Sequence, residues 1–179
     1  MSLSLHGKRV ALLVTDGFEQ VEMTAPRHAL QQAGARTTLL SAELGQVQGW
    51  NHLQPGEQFA VDATFDQARI VDYDALVLPG GVVNADSIRR LPGALRLVQA
   101  ADKAGKPIAV ICHGAWLLVS AGLLKGRTLT SWPSLQDDIR NAGGHWQDQV
   151  VVRDGTLLSS RKPDDLPAFN QALLELLAA

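Results

Sequence analysis

The sequence has a single cysteine, Cys112, among its 179 residues. One thiol excludes an intrachain disulfide framework and a zinc site built from four cysteines, so we expect a protein of a reducing compartment. No long run of one charge is present either, since 16 Lys and Arg residues are matched by 18 Asp and Glu residues. This balance argues against nucleic-acid or polybasic membrane partners. The lone thiol is therefore the feature that most needs an explanation.

Long apolar runs, repeats, low-complexity tracts and interdomain linkers are missing as well. The first apolar run, residues 10–14, is too short for a membrane span or a signal-peptide core. A content of 46% hydrophobic residues is enough to build a core without disulfides or metals. We therefore expect one domain over residues 1–179, in a soluble cytoplasmic protein.

Short apolar runs alternate with segments of helical spacing. Strands buried on both faces, as in a parallel sheet, are predicted at residues 8–15, 35–41, 75–78 and 107–112. Helices are predicted at residues 24–33, 91–104, 115–124, 134–142 and from about 163 towards 179. This alternation predicts an α/β fold, namely a three-layer α/β/α sandwich around a doubly wound, mostly parallel, flavodoxin-like sheet.

Two segments depart from that alternation. Residues 45–65 contain glycine and proline among short alternating stretches, which predicts a β-hairpin excursion at the sheet edge. Residues 149–160 predict a C-terminal hairpin, because Asp154-Gly155 suits a type I′ turn between two β-rich runs.

Three unusual loops follow predicted strands. They are Asp16-Gly17-Phe18-Glu19, Pro79-Gly80-Gly81 and Cys112-His113-Gly114. Loops at the carboxyl ends of parallel strands share one edge of the sheet, where ligands bind. A carboxylate, a glycine pair and a thiol beside an imidazole are therefore expected to converge there.

Cys112 lies between a strand and a helix, which is the layout of a nucleophile elbow. At a helix N-terminus we expect the dipole to lower the pKa of the thiol. The backbone N–H groups of His113 and Gly81 are candidate oxyanion donors. The alternative is a buried core cysteine, which composition alone favours, whereas the elbow layout and His113 favour a functional thiol.

Glu19 is the candidate carboxyl partner of the thiol, as a proton acceptor or, when protonated, as a hydrogen-bond donor. Glu19 could instead be an acidic residue in the first turn of a helix that only stabilises the helix through its dipole. This second interpretation suits Asp16 and Glu22 better than Glu19. His113 is a candidate acid/base at the pocket rim, oriented by a carboxylate such as Asp86. Because it follows the cysteine directly, we expect the two side chains to point in different directions.

Two tryptophans, Trp116 and Trp132, are predicted to form walls of the pocket, together with Gly80. The Gly80-Gly81 pair lacks the GxGxxG and GxxxxGK[ST] patterns, so nucleotide binding is not expected. His6, His28, His52 and His145 lack metal-ligand spacing and are interpreted as surface or packing residues. No cofactor and no metal are expected.

At these residues the chain resembles the PfpI family of intracellular cysteine peptidases and general stress proteins. That family belongs to the superfamily of the Parkinson-disease-associated deglycase, within the class I glutamine amidotransferase-like fold. The matching segments are residues 16–19, 78–81, 109–114, 126–127, 130–132, 137–138, 141–143 and 160–170.

The resemblance implies a nucleophilic Cys112 hydrogen-bonded to Glu19, with His113 beside it. It also implies a homodimer or higher assembly with the site near the interface, where Asp86 matches an acid that contacts the histidine of a neighbouring subunit. The family is linked to peptidase, glyoxalase and deglycase activities on methylglyoxal-derived carbonyls, in stress defence. Ala115 and Trp116 stand where members usually have Pro and often Gln, which affects pocket shape and substrate preference.

Two other functions are weighed against this one. A redox sensor or protective chaperone would work through oxidation of Cys112, with no second cysteine to resolve the oxidised thiol. A glutamine amidotransferase would need a later His-x-Glu, but His145 is followed by Trp146-Gln147, so we reject that function. We expect small carbonyl compounds or modified peptides as substrates, and neither nucleic acid nor membrane as partners.

Overall fold

The computed structural model describes residues 3–179. Within that range the elements are, in chain order, β1 (Arg9–Leu13), β2 (Phe18–Glu19), α1 (Gln20–Gln32), β3 (Arg36–Ser41), β4 (Gly45–Asn51), β5 (Gln54–Val61), β6 (Ala63–Thr64), β7 (Ala75–Leu78), α2 (Val82–Ile88), α3 (Pro92–Lys103), β8 (Ile108–Ile111), α4 (Ala115–Ser120), β9 (Thr128–Leu129), α5 (Gln136–Asn141), β10 (His145–Trp146), β11 (Val151–Asp154), β12 (Leu157–Ser160) and α6 (Leu166–Ala178). None of these helices is long and apolar enough to span a membrane.

The central sheet has seven strands in the order β11-β12-β8-β7-β1-β3-β6. All neighbouring pairs are parallel except β11 and β12. Every residue of β7, β8 and β12 is buried, as expected for strands covered by helices on both faces. The predicted doubly wound, mostly parallel sheet is confirmed.

Successive residues of β1 belong to different cores because strand side chains alternate between the two faces of a sheet. Ala11 and Leu13 pack in the core beneath α2, α3, α4 and α5. Val10 and Leu12 pack in the core beneath α1 and α6. Helices therefore cover both faces, and the three-layer α/β/α sandwich is confirmed.

The excursion at residues 45–65 is a hairpin, but it belongs to a separate sheet. Strands β4 and β5 pair antiparallel, and β2 adds a third strand beside β4. One edge of the central sheet is formed instead by β6, which follows the hairpin, and the other edge is β11. The predicted C-terminal hairpin is present, but Asp154 pairs with Leu157, so its turn is Gly155-Thr156 and not the predicted Asp154-Gly155. Gly155 has a φ of 59° whereas the φ of Thr156 is not positive, so the predicted type I′ turn is wrong.

Helix α1 begins at Gln20, four residues before the predicted start at Thr24. Glu19 is still extended, with a φ of −66° and a ψ of 111°, and Pro26 lies within the helix rather than near its start. Glu22 thus lies in the first helical turn. The short helix α2, which follows the glycine pair, was not predicted from the sequence at all.

Candidate active site

The three loops meet at the carboxyl edge of the central sheet and enclose a cavity of about 500 Å³. Its lining comes from six parts of the chain, namely the β1–α1 segment, the β4–β5 hairpin, the start of α2, the cysteine loop and the segments that follow β9 and β12. The lining residues are Gly17, Glu19, Glu22, Trp50, His52, Leu53, Gly81, Val82, Val83, Cys112, His113, Trp132 and Pro163. The surface of the cavity is mainly apolar.

Cys112 occupies a sharp turn between β8 and α4. Its φ is +60°, a left-handed conformation that is rare for a residue with a side chain. The turn passes so close to β7 that a Cβ on Gly114 would lie 2.6 Å from the carbonyl oxygen of Leu78. This strained strand–turn–helix geometry is that of a nucleophile elbow.

The backbone N–H groups of His113 and Gly81 lie close enough to the sulfur of Cys112 to lower the pKa of its thiol. Gly81 can approach because it has no side chain. Its φ is +88°, and a Cβ there would collide with the carbonyl oxygen of Gly17 and lie 2.6 Å from the backbone nitrogen of Glu19. The amides proposed from the sequence as oxyanion donors are thus aimed at the reactive atom.

Glu22, not Glu19, is the carboxyl group at the thiol. It is fully buried and lies in hydrogen-bonding range of Cys112. Its Oε2 accepts the N–H of Gly80 at 2.7 Å, whereas Oε1 is buried without a hydrogen-bond partner among the described residues. The expected Glu19–Cys112 hydrogen bond is therefore wrong, because the earlier start of α1 turns Glu22 inward.

Burial raises the pKa of Glu22 to about 8, partly offset by the hydrogen bonds from Gly80 and with Cys112. A carboxyl group with this pKa is mostly protonated at neutral pH. It can then donate a hydrogen bond to the sulfur instead of repelling a thiolate. Glu22 is thereby placed where the sequence analysis expected Glu19.

Glu19 lies on the outer wall of the cavity. Its Oε2 accepts the backbone N–H of His52 at 3.2 Å, and its Oε1 lies 3.4 Å from the same nitrogen. Glu19 is thus joined to the turn between β4 and β5 and not to the cysteine.

Burial also raises the pKa of the Cys112 thiol, and a charged Glu22 raises it further. The N–H groups of His113 and Gly81 lower the pKa of the thiol, but by less than burial raises it. The expectation of a thiol pKa lowered by the helix dipole is therefore not met. The reason is local, since α4 has only six residues and the sulfur is shielded from water.

His113 is in direct contact with the cysteine. Its Nδ1 lies 3.2 Å from Sγ of Cys112, so the expectation that the two side chains diverge is wrong. The left-handed backbone at Cys112 turns its side chain towards the next residue. Burial lowers the pKa of His113, which favours the neutral imidazole that can accept a thiol proton.

The two tryptophans have different positions. Trp132 lines the cavity and stacks on the His113 ring, with centroids 5.7 Å apart and an interplanar angle of 24°. Trp116 meets the same ring edge-on at 5.5 Å but is not part of the cavity lining, and its indole N–H donates to Asp138. Trp116 therefore supports the histidine from behind and is not the predicted pocket wall.

Two further predicted residues lie outside the lining. Gly80 sits behind the wall, where its N–H reaches Glu22. Asp86 is exposed on α2, and within residues 3–179 it forms no hydrogen bond or ion pair with His113. An Asp86–His113 pair is therefore not formed within one copy of the chain.

Several lining residues were not predicted. Trp50, His52 and Leu53 come from the β4–β5 hairpin, and Val82 and Val83 from α2. The place of the three hairpin residues depends on the pairing of β2 with β4, for which local sequence carries no signal, and that of the two valines depends on α2, which was not predicted. His145 lies on β10, away from the cavity, and no group of three or more His, Cys, Asp or Glu residues in the described chain could hold a metal ion.

The flavodoxin-like sandwich and the cysteine on its elbow define the class, an α/β protein with a cysteine site at the carboxyl edge of the sheet. The profile described as the DJ-1/PfpI family matches residues 8–176. The chain belongs to the DJ-1/PfpI family.

Two relatives and one solved structure show how far the likeness extends. "Deglycase PfpI" of Pyrococcus furiosus is 40% identical over 169 residues, which are 94% of this chain and 99% of the relative. "General stress protein 18" of Bacillus subtilis is 39% identical over 173 residues, covering 96% and 98% of the two chains. The crystal structure of Drosophila melanogaster DJ-1beta superposes with a TM-score of 0.87 at 28% identity, covering 96% of this chain and 90% of that one.

Proposed function

We propose that this protein is a cytoplasmic deglycase of carbonyl-stress defence, in which Cys112 is the nucleophile. It would release amines or thiols from their methylglyoxal-derived adducts. The single observation that carries the proposal is the set of groups around one sulfur, namely an imidazole nitrogen at 3.2 Å, a buried carboxyl group and two backbone N–H donors. The deglycase names of relatives at about 40% identity over nearly the whole chain support it.

The chemistry starts with proton transfer. Neutral His113 takes the thiol proton through Nδ1, and the thiolate adds to the electrophilic carbonyl carbon. Charge then develops on the carbonyl oxygen next to the sulfur, where the N–H groups of Gly81 and His113 can stabilise it. Protonated Glu22 holds the sulfur during addition. The bond between the adduct carbon and the amine or thiol then breaks, and the leaving group takes the proton that His113 had accepted. Water adds to the carbon that remains on Cys112, the bond from that carbon to the sulfur breaks, and the sulfur takes a proton from the water, so that adduct and water give the free amine or thiol and a free acid.

The test compares release of free amine from a methylglyoxal-treated peptide by wild-type protein and by Cys112→Ala, Glu22→Gln and Glu43→Gln. We expect Cys112→Ala to abolish turnover and Glu22→Gln to lower kcat by about 100-fold, since a positioned acid contributes on that order. Glu43→Gln is the matched control, because Glu43 is exposed in a loop and does not line the cavity. The same assay with unmodified peptide decides between deglycase and peptidase activity, and one with free methylglyoxal detects glyoxalase activity.

A redox sensor is the second candidate function. The donors that surround Cys112 would also hold the oxygens of a sulfenic or sulfinic acid. Mass spectrometry after mild peroxide treatment detects oxidation of Cys112 as an increase in mass. Selective oxidation of Cys112 in a protein that turns over no carbonyl adduct would favour a redox sensor over an enzyme.

We also propose that the protein is a homodimer or a higher homo-oligomer with the site near the interface. Asp86 is exposed on α2, the helix whose first residues line the cavity, so a partner's copy of it could reach His113. The molar mass measured by light scattering tests the assembly.

A further inference from the structure

Two non-glycine residues in the described part of the chain have a positive φ, and both line the same cavity. Cys112 has a φ of 60° and His52 a φ of 57°. Side chains persist in this left-handed region only where the surroundings hold them there, and such strain concentrates at functional sites. The nucleophile elbow accounts for Cys112. His52 lies on a different sheet and needs its own explanation.

His52 and Leu53 form the two-residue turn of the β4–β5 hairpin, and we call them the hairpin tip. Asn51 pairs with Gln54 across this turn. A positive φ at the first of the two turn residues is typical of a type II′ turn, which favours glycine at that position. A histidine there adopts an unfavourable conformation that glycine would adopt easily.

The Glu19 carboxylate holds the tip in this conformation. Its oxygens lie 3.2 and 3.4 Å from the backbone nitrogen of His52, and the N–H donates to them. Gln20, the next residue, exchanges two hydrogen bonds with Glu57 on β5, at 2.6 and 2.7 Å. Glu19, which the sequence predicted to be a catalytic residue, and its neighbour Gln20 therefore hold the hairpin against the cavity through these hydrogen bonds.

The tip completes an apolar rim around the cavity mouth. The exposed fractions are 91% for Leu53, 63% for Val83, 53% for Val82 and 38% for Trp132. These four residues are half of the large hydrophobic side chains found exposed in the described chain, yet all four line this one cavity. Exposed apolar side chains gathered at one place mark a binding surface.

The size of the cavity indicates what the rim contacts. A volume of about 500 Å³ suits a ligand of many atoms, whereas free methylglyoxal has only a three-carbon skeleton. Such a small molecule can reach the sulfur without touching Leu53. An adduct on a lysine or arginine side chain brings apolar methylene groups and a peptide backbone that extend to the rim.

We propose that Glu19 is a positioning residue that holds the hairpin tip as a specificity-determining wall of the Cys112 cavity. The wall selects carbonyl adducts carried on peptide side chains over free small carbonyl compounds. This inference rests on the proposed deglycase function and names its substrate class.

The first test measures the ratio of kcat/KM for a methylglyoxal-modified lysine peptide to that for free methylglyoxal. We expect Glu19→Ala and Leu53→Ser each to lower this ratio by about tenfold, mainly through a higher KM for the peptide. Glu19→Gln keeps an oxygen that can accept the His52 N–H, so it should recover most of the ratio. Leu44→Ser is the matched control, because Leu44 is also exposed but precedes β4 at the other end of the hairpin.

The second test needs no turnover. Cys112 is the only cysteine, so mass spectrometry of alkylated protein reports on this sulfur alone. One reagent is chloroacetamide, and the other is a short peptide with a chloroacetylated lysine. We expect Glu19→Ala and Leu53→Ser to lower the peptide-to-small reagent rate ratio by about tenfold, with Leu44→Ser unchanged.

The two tests separate the possible failures. Suppose that wild-type protein turns over no adduct but the alkylation rate ratio falls in Glu19→Ala and Leu53→Ser. The proposed deglycase function is then wrong, and the proposed role of the hairpin tip in selecting the ligand still holds. If wild-type protein turns over the adduct but neither the kcat/KM ratio nor the alkylation rate ratio changes in Glu19→Ala and Leu53→Ser, the proposed role of the hairpin tip is refuted and the proposed deglycase function still holds. A change of oligomeric mass in Leu53→Ser, measured by light scattering, would identify the rim as a contact between copies and would also overturn the proposal.

Discussion

The buried carboxyl group of Glu22 makes the stability of this protein depend on pH. Its pKa is about 8 in the folded chain against an ordinary value of 4.5. Between these values the folded state keeps the proton and the unfolded state loses it. The free energy of unfolding therefore falls as pH rises across this window, by roughly 1.4 kcal/mol per pH unit from this one group.

The Glu22→Gln variant removes this dependence because its side chain is neutral at every pH and of similar size. Its amide oxygen can still accept the Gly80 N–H. The difference in free energy of unfolding, variant minus wild type, should grow by roughly 2–3 kcal/mol from pH 5 to pH 7. All other titrating groups are shared by both proteins and cancel in the difference.

The assay is urea unfolding followed by circular dichroism at half-unit steps between pH 5 and pH 8. Glu43→Gln, a change of the same kind at an exposed loop position, should keep the wild-type slope. A difference between Glu22→Gln and wild type that stays constant over this range would show that Glu22 is already ionised in the folded protein. The donor role assigned to Glu22 would then be untenable.

Two further substitutions test the supports of the site by chemical denaturation. Gly81→Ala should lower the free energy of unfolding by about 2 kcal/mol or more. The backbone at Gly81 is left-handed, and a Cβ there would collide with the carbonyl oxygen of Gly17. An unchanged free energy of unfolding would contradict this close approach. Asn84→Ala should cost roughly 1–3 kcal/mol, since the fully buried Asn84 amide accepts the Thr15 N–H at 2.7 Å. Ser87→Ala, an exposed change on the same helix, is the control and should stay within about 0.5 kcal/mol of wild type.

Much of the fold was predictable because the strands are local. Each central strand is a short apolar run buried on both faces, and the alternation with helices leaves few possible topologies. The elbow at Cys112 was predictable for the same reason, since strand, turn and helix follow directly in sequence.

The carboxyl partner of the thiol was not predictable with the same certainty. Glu19 and Glu22 lie three residues apart, and which of them faces the cysteine depends on the residue at which α1 begins. A helix starting at Thr24 leaves Glu19 at a strand end, whereas the observed start at Gln20 turns Glu22 inward. Helix boundaries are set by tertiary contacts as well as by local signals, so an error of four residues exchanged the two roles.

The hairpin tip and the thiol pKa depend on contacts distant in sequence. His52 reaches the cavity only because Phe18 and Glu19 pair with Gly49 and Trp50. The pKa of Cys112 is set by burial, which outweighs the N–H groups that local sequence could suggest. Both features arise from the assembled fold.

The central claim is that the Cys112 sulfur performs the chemistry. The most direct measurement is kcat/KM for a methylglyoxal-modified lysine peptide, compared between wild-type protein and Cys112→Ser, with matched folding checked by circular dichroism. Serine keeps the size and the hydrogen bonds of the site but lacks a readily formed nucleophile, so turnover should be undetectable. Wild-type turnover in the folded Cys112→Ser variant would contradict the claim.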